Sequence, residues 1–350
     1  MNITDTIKAD VKKYYGEILD TKNDLKTNVC CLAEAMPQRL HAYLKNVHDE
    51  IQEKFYGCGS PIPLALDGAT VVDLGCGTGR DVYILSQLVG QTGNVIGVDM
   101  TENQIAVANK YVDYHMEKFG FSNPNVEFHN GFIEDLASVG IENNSVDLVV
   151  SNCVINLSPE KEKVFEEIFR ILKPGGELYF SDVFADRRIP GHLAKDPVLL
   201  GECLGGAMYT EDFSRMLRYV GCLDYRVVRD NPLEIHDPEI KAKVGMIHFS
   251  SKTIRSFKCD FEDICENYGH VAYYQGSIED SPHEFILDDH HEFKTGYPEP
   301  VCGNTARMLS ESRYQNHFRL DGNFSTHYGA FDCRSSYSSV NQNGDSGLCC

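Results

Sequence analysis

The chain has 350 residues, enough for two domains or for one large domain with an appendage. Its 32 basic and 52 acidic residues give a formal charge of −20, which repels phosphate backbones, so we expect no nucleic-acid partner. The N-terminus lacks the apolar core of a signal peptide, and no window approaches a membrane span, which predicts a cytoplasmic protein with no membrane partner. Thirteen cysteines in such a chain indicate thiols used for binding or catalysis rather than a disulfide framework.

The first 60 residues are predicted to be helical, with helices over residues 7–15 and 37–55. In the second helix Leu40, Val47 and Ile51 belong to one apolar stripe. From residue 69 onward, short apolar runs alternate with amphipathic helices, which is typical of a parallel sheet covered on both faces. The predicted strands are 70–74, 94–99, 126–129, 146–151, 177–182 and 225–228. Two helix starts are predicted between these strands, a capping box at Thr101 and Gln104 and the dipeptide Ser158-Pro159. The second helix carries the apolar stripe Val164, Phe165, Ile168, Ile171 and Leu172. Further helices are predicted over 190–202 and 210–219.

These elements predict an α/β fold with a doubly wound, mostly parallel sheet, followed by a small α+β C-terminal unit and an unordered tail. Histidine, serine, asparagine and glycine dominate after residue 280 with little apolar periodicity, which favours extended or disordered chain. The predicted divisions are an N-terminal helical segment (1–60), a ligand-binding domain (61–235), an α+β unit (236–280) and a cysteine-containing tail (281–350).

A glycine-rich turn joins the first strand to the next helix, with glycines at positions 75, 77 and 79. A dinucleotide-binding fingerprint would need a further glycine at position 80, where the chain has Arg80, so the spacing favours a nucleoside ligand without a pyrophosphate. Asp99 ends the second strand 20 residues after Gly79, where a carboxylate can accept both ribose hydroxyls. A glycine turn in another doubly wound fold is the alternative interpretation.

The segments Asp73-Leu74-Gly75-Cys76-Gly77-Thr78-Gly79 and Gly97-Val98-Asp99-Met100 resemble the cofactor motifs of class I S-adenosylmethionine-dependent methyltransferases. The resemblance implies the Rossmann-like seven-stranded sheet of that class, with S-adenosyl-L-methionine as methyl donor. It assigns the methionyl part to Asp73 and the loop backbone, the ribose to Asp99, and the adenine to Met100, Ile133 and Glu134. The complete set of implied cofactor-binding residues is Asp73, Gly75, Cys76, Gly77, Gly79, Asp99, Met100, Ile133, Glu134 and Asn152, although packing in the turn is the better explanation for Cys76 itself.

Two cysteines lie where a methyl acceptor should bind. Cys153 follows the fourth predicted strand at the carboxyl end of the sheet, and Cys203 precedes two glycines that allow the backbone to approach a ligand. Taken singly, each is better explained as a buried core thiol.

Taken together, four segments resemble those of arsenite methyltransferases: residues 27–30, 56–59, 151–157 and 201–207, in a region of similarity from about residue 14 to 258. The resemblance implies that Cys58, Cys153 and Cys203 bind trivalent arsenic as arsenite or a methylated arsenical. Soft thiolates suit this soft centre. It further implies that Cys30 forms a transient disulfide with Cys58 that thioredoxin or glutathione reduces; the adjacent Cys31 could take that role instead. Nothing in the sequence requires more than a monomer.

Two other functions fit parts of the pattern. A related methyltransferase of an apolar small molecule would merely pack its cysteines, and a metalloid-binding protein without catalysis would leave S-adenosylmethionine untouched. Cys222 is predicted to be packed. Cys259 and Cys265, six residues apart outside the region of similarity, could bind a metalloid, but structural use is favoured. Cys349-Cys350 could be an arsenic-capturing dithiol, a prenylated end or an unordered tail, and His283, His290 and His291 fit a solvated acidic loop better than a metal site.

Overall fold

The structure is a computed structural model that describes Lys8, Val11, Lys12 and residues 36–55 and 60–333. Its main sheet has the strands β1 (Thr70–Leu74), β2 (Asn94–Asp99), β3 (Val126–Asn130), β4 (Val146–Asn152), β5 (Leu172–Ala185), β6 (Met208–Tyr209), β7 (Tyr225–Leu233) and β8 (Phe249–Phe257). The order is β3-β2-β1-β4-β5-β8-β7, with β6 paired to β5. Strands β1 to β6 pair in parallel, whereas β8 is antiparallel to β5 and β7. The predicted doubly wound, mostly parallel sheet is confirmed, with the two-residue β6 as an addition to the seven strands expected.

Helices cover both faces of this sheet. None of those described here combines the length and the apolar composition needed to cross a bilayer. The helices are α1 (His41–Leu44), α2 (Asp49–Glu53), α3 (Arg80–Val89), α4 (Glu102–Lys110), α5 (Val112–Phe119), α6 (Lys161–Ile171), α7 (Pro197–Gly201), α8 (Thr210–Tyr219) and α9 (Pro238–Val244).

Two apolar layers hold the helices to the sheet. On one face α6 and α8 contribute Phe165, Ile168 and Phe213, and the whole predicted stripe of α6 is buried. On the other face Val82 and Leu85 of α3 pack with the N-terminal residues Leu40, Val47 and Ile51. Because both faces are covered, β1 and β2 contain apolar runs with buried side chains on both faces, and their predicted ends agree with the observed ends.

Two predicted helices begin or end elsewhere. The helix expected over residues 37–55 is divided into a 3-10 turn at Gln38–Leu40, α1 and α2, because the His48 side chain accepts a hydrogen bond from Glu50 N and caps α2. The helix expected to open at Ser158-Pro159 begins at Lys161, because Ser158 Oγ instead accepts from Glu160 N and donates to Glu134. Of the helix predicted over 190–202, only α7 forms, capped by Asp196.

The C-terminal region contradicts the predicted unordered tail. Between residues 281 and 333 the chain forms two small sheets and a helix around an aromatic core that includes Tyr274, Phe285 and Phe318. Isolated aromatic residues at irregular spacing build this core, which explains why no periodicity reveals it. The elements are β9 (His270–Tyr274), β10 (Glu284–Ile286), β11 (Glu292–Lys294), β12 (Pro298–Val301), α10 (Gly303–Ser310) and β13 (Phe318–Asp321). The tail beyond residue 333, including Cys349 and Cys350, lies outside the described residues.

The boundaries predicted at residues 235 and 280 are also wrong. Strand β8, assigned to the C-terminal unit, pairs with β5 over Phe249–Phe257 and so lies inside the main sheet. Strand β9, placed before the boundary at 280, pairs with both β12 and β13 beyond it. Strand pairing between distant segments, which the sequence does not display, therefore sets both boundaries.

A buried ion cluster joins the main sheet to the C-terminal region. Glu177 on β5 is fully buried, and one of its carboxylate oxygens accepts from Arg255 Nε on β8 at 2.7 Å. Arg313 pairs with the other oxygen, and the hydroxyl of Tyr314 lies 3.0 Å from Arg255 Nη2. A buried carboxylate needs such partners because desolvation penalises an isolated charge.

Candidate active site

The glycine turn after β1 forms the floor of a cavity at the carboxyl edge of the sheet. Gly75 and Gly77 have φ values of +72° and +54°, in the region that favours glycine. A Cβ on Gly75 would lie 2.3 Å from Val154, whereas a Cβ on Gly77 would meet nothing within 4 Å. Gly75 therefore allows the loop to pack against the segment after β4, and the Gly77 backbone lies open to a ligand.

Asp99 supports this turn from β2. One carboxylate oxygen accepts from Gly77 N at 3.0 Å and the other from Thr101 N at 2.8 Å. The capping box predicted at Thr101 and Gln104 is wrong: the Thr101 side chain makes no cap hydrogen bond to α4, and Asp99 rather than the Gln104 side chain accepts from the Thr101 backbone N–H. The Gln104 Oε1 atom is buried and accepts no hydrogen bond within the described part of the chain, although Gln104 lines the cavity.

Negative charge is concentrated in the cavity. Burial raises the pKa of Asp73 well above its usual value, and Asp81 and Asp99 raise it further; burial likewise raises the pKa of Asp99. Arg80 pairs with Asp81 at 2.7 Å. Carboxylates whose charged forms are destabilised in this way favour a ligand that carries positive charge and hydrogen-bond donors.

The cavity collects nearly all the predicted cofactor-binding residues. Gly79 does not line it, and instead packs against Phe128. Cys76 is buried, as predicted for packing, yet also lines the cavity, and burial raises its pKa well above the usual value. Asn152 donates to Asp81 at 3.4 Å. The predicted residues that line the cavity are Asp73, Gly75, Cys76, Gly77, Asp99, Met100, Ile133, Glu134, Asn152 and Cys153.

Sequence reasoning missed several residues of this cavity. Lys8 pairs with Glu134 at 3.3 Å, and Ser158 Oγ donates to the same carboxylate at 2.6 Å. Phe132 is 42% exposed although it is large and apolar, so it offers a ring face to a planar ligand. Phe132 directly precedes Ile133 and Glu134, a signal that could have identified it. Lys8 belongs to no motif and had no signal.

Cys153 and Cys203 come together beside the cavity. Cys203 Sγ donates to the carbonyl of Cys153 at 3.4 Å, and both residues are buried. Both have left-handed backbone angles, φ +56° and +61°, which turn each segment sharply at its cysteine. Gly206 permits the approach, because a Cβ there would overlap the carbonyl of Asn156. Cys153 is disulfide-bonded in this structure.

Lys161, at the start of α6, supplies positive charge near Cys203. Its Nζ donates to the carbonyls of Asn156 at 3.0 Å and Ser158 at 2.8 Å. Burial lowers the pKa of Lys161 to about 8, while Asp182 and Cys203 oppose the shift. The other predicted thiols, Cys30, Cys31 and Cys58, lie outside the described residues.

Comparisons with known proteins agree with this arrangement. Residues 65–221 match a family model described as "Methyltransferase domain", and residues 268–343 match one described as "Arsenite methyltransferase C-terminal domain". The chain is 52% identical over 323 residues to an arsenite methyltransferase of Aquipseudomonas alcaligenes, covering 92% of this chain and 93% of the relative. It is 44% identical to the arsenite methyltransferase of Mus musculus, over 90% of this chain and 83% of the relative.

A solved structure shows the same fold. An arsenic(III) S-adenosylmethionine methyltransferase from Chlamydomonas reinhardtii superimposes with a TM-score of 0.83 at 48% sequence identity. The match covers 85% of this chain and 100% of that chain.

Proposed function

Because the chain belongs to the arsenite methyltransferase family, we propose that it moves methyl groups from S-adenosylmethionine to trivalent arsenic, first as arsenite and then as methylarsenite. The observation that carries this proposal is the meeting of Cys153 and Cys203 beside the glycine-loop cavity. A methyltransferase of an apolar acceptor would have no chemical use for two convergent buried thiols at this position. Arsenic, in contrast, is a soft centre that thiolates bind well.

The cavity residues fit S-adenosylmethionine, which supplies an electrophilic methyl group on a sulfonium when bound. The carboxylates of Asp73 and Asp99 would receive its cationic and hydroxyl groups, and the Gly77 backbone allows close approach. Gln104 Oε1 is a buried acceptor available for a ligand N–H or O–H. Met100 and Phe132 offer apolar surface to the adenine, with Ile133 and Glu134 at its edge.

The thiols hold the second substrate. Arsenite exchanges its hydroxyl groups for thiolates and releases water, and trivalent arsenic keeps a lone pair that acts as the nucleophile. Fixing arsenic beside the cavity supplies proximity and excludes water, so the chain needs no general base at arsenic. We propose Cys58 as the third ligand beside Cys153 and Cys203, and Lys161 as the residue that stabilises the Cys203 thiolate.

Thiol reduction completes the proposed cycle. Each methylation raises arsenic formally toward the pentavalent state, and two cysteine thiols can return it to trivalency by forming a disulfide. We assign that disulfide to Cys58 with Cys30 or Cys31, and its reduction to thioredoxin or glutathione. The disulfide-bonded state of Cys153 supports a requirement for external dithiol before arsenic binds. These steps need a reducing compartment, so we place the enzyme in the cytoplasm, acting as a monomer in arsenic detoxification.

The test follows arsenic speciation against time. Purified protein with S-adenosylmethionine, arsenite and a dithiol is expected to yield S-adenosylhomocysteine together with methylated arsenic. Cys30→Ser should impair methylation of arsenite, because the disulfide with Cys58 that returns methylated arsenic to trivalency cannot form. Turnover of methylarsenite, which is supplied in the trivalent state, should remain intact. Absence of methylated arsenic under reducing conditions contradicts the proposal. Equal loss of both activities in Cys30→Ser would remove the redox assignment alone.

A further inference from the structure

Three cysteines that the proposed reaction does not use converge in the C-terminal region. The sulfur atoms of Cys265, Cys302 and Cys333 all lie within 4.8 Å of one another. Cys302 is fully buried, Cys265 is 7% exposed and Cys333 is half-buried. We call Cys265, Cys302 and Cys333 the C-terminal trithiol.

Backbone pairing fixes this convergence. Glu266 forms an isolated β-bridge with Ala330, and Phe331 N donates to the carbonyl of Cys265 at 2.8 Å. Gly303 N, next to Cys302, donates to the carbonyl of Glu266 at 2.9 Å. Main-chain hydrogen bonds therefore tie the Cys265 segment to the segments of both Cys302 and Cys333, and the cluster does not depend on side-chain rotamers alone.

The surroundings of Cys302 favour its thiolate. Cys302 is the N-cap of α10, and its Sγ accepts from Thr305 N at 3.4 Å and lies 3.9 Å from Arg226 Nη2. A helix N-terminus and a guanidinium are both known to stabilise a thiolate.

A second buried group lies near Cys302. His270 on β9 is buried, and its Nδ1 atom has no hydrogen-bond partner among the described residues. The charge of Cys302 acts on the His270 ring, partly opposing the decrease in its pKa that burial causes. Neither ring nitrogen of His270 lies within 4.8 Å of all three sulfur atoms, so His270 is not a fourth ligand of the cluster.

We propose that the C-terminal trithiol binds trivalent arsenic, as a second arsenic site separate from the sheet edge. Three soft sulfur ligands match trivalent arsenic, which forms three bonds and retains a lone pair. Structural zinc takes four ligands, whereas the described cysteine, histidine and acidic side chains place three ligand atoms within this radius. The resulting complex is neutral, which suits a buried location.

Binding requires prior reduction, because Cys265 is disulfide-bonded in this structure. A dithiol such as dithiothreitol exchanges with that disulfide, is itself oxidised to a cyclic disulfide and leaves Cys265 as a thiol. Arsenite, As(OH)3, then loses its three hydroxyl groups as its As–O bonds break and three As–S bonds form. The three hydroxyl groups leave as three water molecules, each taking one proton from a thiol or, where the sulfur is already a thiolate, from solvent. No arsenic oxidation or methyl transfer is involved.

The experiment uses the full chain with Cys153→Ser and Cys203→Ser, which removes the described arsenic ligands of the sheet edge. The protein is reduced with dithiothreitol, incubated with arsenite and desalted, and bound arsenic per chain is measured by mass spectrometry. Adding Cys302→Ser or Cys333→Ser is expected to reduce bound arsenic by about one atom per chain. The matched control is Cys259→Ser, a half-buried thiol six positions from Cys265, which is expected to change nothing.

If a cysteine variant folds poorly, two further measurements test the second arsenic site without that variant. In the chain with its C-terminal cysteines intact, arsenite should protect Cys302 and Cys333 from alkylation at least about tenfold, and X-ray absorption should show sulfur neighbours of arsenic. No protection, equal loss in Cys259→Ser, or zinc that arsenite cannot displace would overturn the second site. Because this experiment measures binding and not turnover, a failure of methylation does not count against the C-terminal trithiol. If methylation occurs but the amount of bound arsenic does not depend on Cys302, only the second arsenic site is overturned.

Discussion

The sheet edge and the C-terminal region both gather cysteines, but they do so in different ways. Cys153 and Cys203 each lie in a continuous motif and turn sharply in the left-handed region, beside a cavity that a second substrate can fill. The C-terminal trithiol has no motif and depends on main-chain pairing among three distant segments. The difference teaches that a site that takes part in group transfer needs an opening toward a second ligand. A site that only binds its ligand needs a fixed, enclosed set of ligand atoms.

The largest expected effect comes from comparing the loss of a thiol at the sheet edge, Cys203, with the loss of a thiol in the core, Cys222. Cys203→Ser should lower the rate of arsenic methylation by about 1,000-fold or more, equivalent to about 4 kcal/mol, because serine oxygen does not replace a soft sulfur ligand. The matched control is Cys222→Ser, a buried thiol that donates to the Asp224 carbonyl at 3.1 Å and contacts no part of the cavity. Initial rates of S-adenosylhomocysteine formation give the comparison, and similar losses in both variants would contradict it.

The next effect tests how firmly the two regions are joined. Glu177→Gln leaves the buried Arg255 and the half-buried Arg313 without their carboxylate, which should lower the free energy of unfolding by about 3–5 kcal/mol. Glu311→Gln removes an exposed pair with Arg307 at 2.8 Å and should cost about 0.5 kcal/mol or less. Urea unfolding measures both variants. If the two losses are equal, the buried cluster does not hold the regions together.

A smaller effect concerns the main-sheet region, where His115 should make the free energy of unfolding depend on pH. His115 is buried; its Nε2 accepts from His48 N at 3.1 Å, its ring stacks on Tyr83, and burial lowers its pKa to about 4 from an ordinary 6.5. Between these values the unfolded chain binds a proton that the folded chain does not, so stability falls as the pH decreases from 6.5 to 4. This loss should amount to about 3 kcal/mol.

His115→Gln should remove that component, so the difference in unfolding free energy between wild type and variant should change across this pH range. His192→Gln, an exposed position, serves as the control and should leave the pH dependence unchanged. Chemical denaturation at pH 4.5, 5.5 and 6.5 provides the measurement, with pH values chosen inside the titration window. A constant wild-type-to-variant difference over the window would show that His115 is protonated in the folded chain.

The smallest effect concerns the orphaned acceptor in the cavity. Gln104→Ala should raise the KM for S-adenosylmethionine by about five- to tenfold, since one hydrogen bond contributes about 1 kcal/mol. Gln91→Ala, at an exposed position in the turn after α3, is the control and should leave KM unchanged. Steady-state kinetics at saturating arsenite tests the pair. An unaltered KM in Gln104→Ala would mean that the ligand does not reach Oε1.

The contrast between the two regions also explains what could be predicted from the sequence. The glycine turn, Asp99 and Cys153 belong to segments at strand ends, so their convergence on one cavity follows from the rule that ligands bind at the carboxyl ends of parallel strands. Cys203 follows a helix and contacts Cys153 beside that cavity. The sequence predicts that Lys161 belongs to a helix. It does not predict a charge near Cys203, because that proximity depends on which side chains the fold buries together. Positions of Cys30, Cys31 and Cys58 remain predictions.

The C-terminal trithiol could not be predicted for a physical reason. Cys265, Cys302 and Cys333 are separated by more than 30 residues each, and isolated aromatic residues rather than a periodic stripe build the core beside them. The same lack of periodicity led to the wrong expectation of an unordered tail. Tertiary pairing of β9 with β12 and β13 overrides local composition there.

The buried ion cluster also bears on how the chain is made. Glu177 leaves the ribosome well before its partner Tyr314, which lies 137 residues further along the chain. At typical rates of translation the intervening segment takes roughly 7 to 27 s to synthesise. Throughout that interval the nascent sheet carries a carboxylate that cannot yet be enclosed with all its partners. A chain that stops before Arg313 already contains both β5 and β8, but its Glu177 carboxylate has Arg255 as a partner without Arg313 or Tyr314.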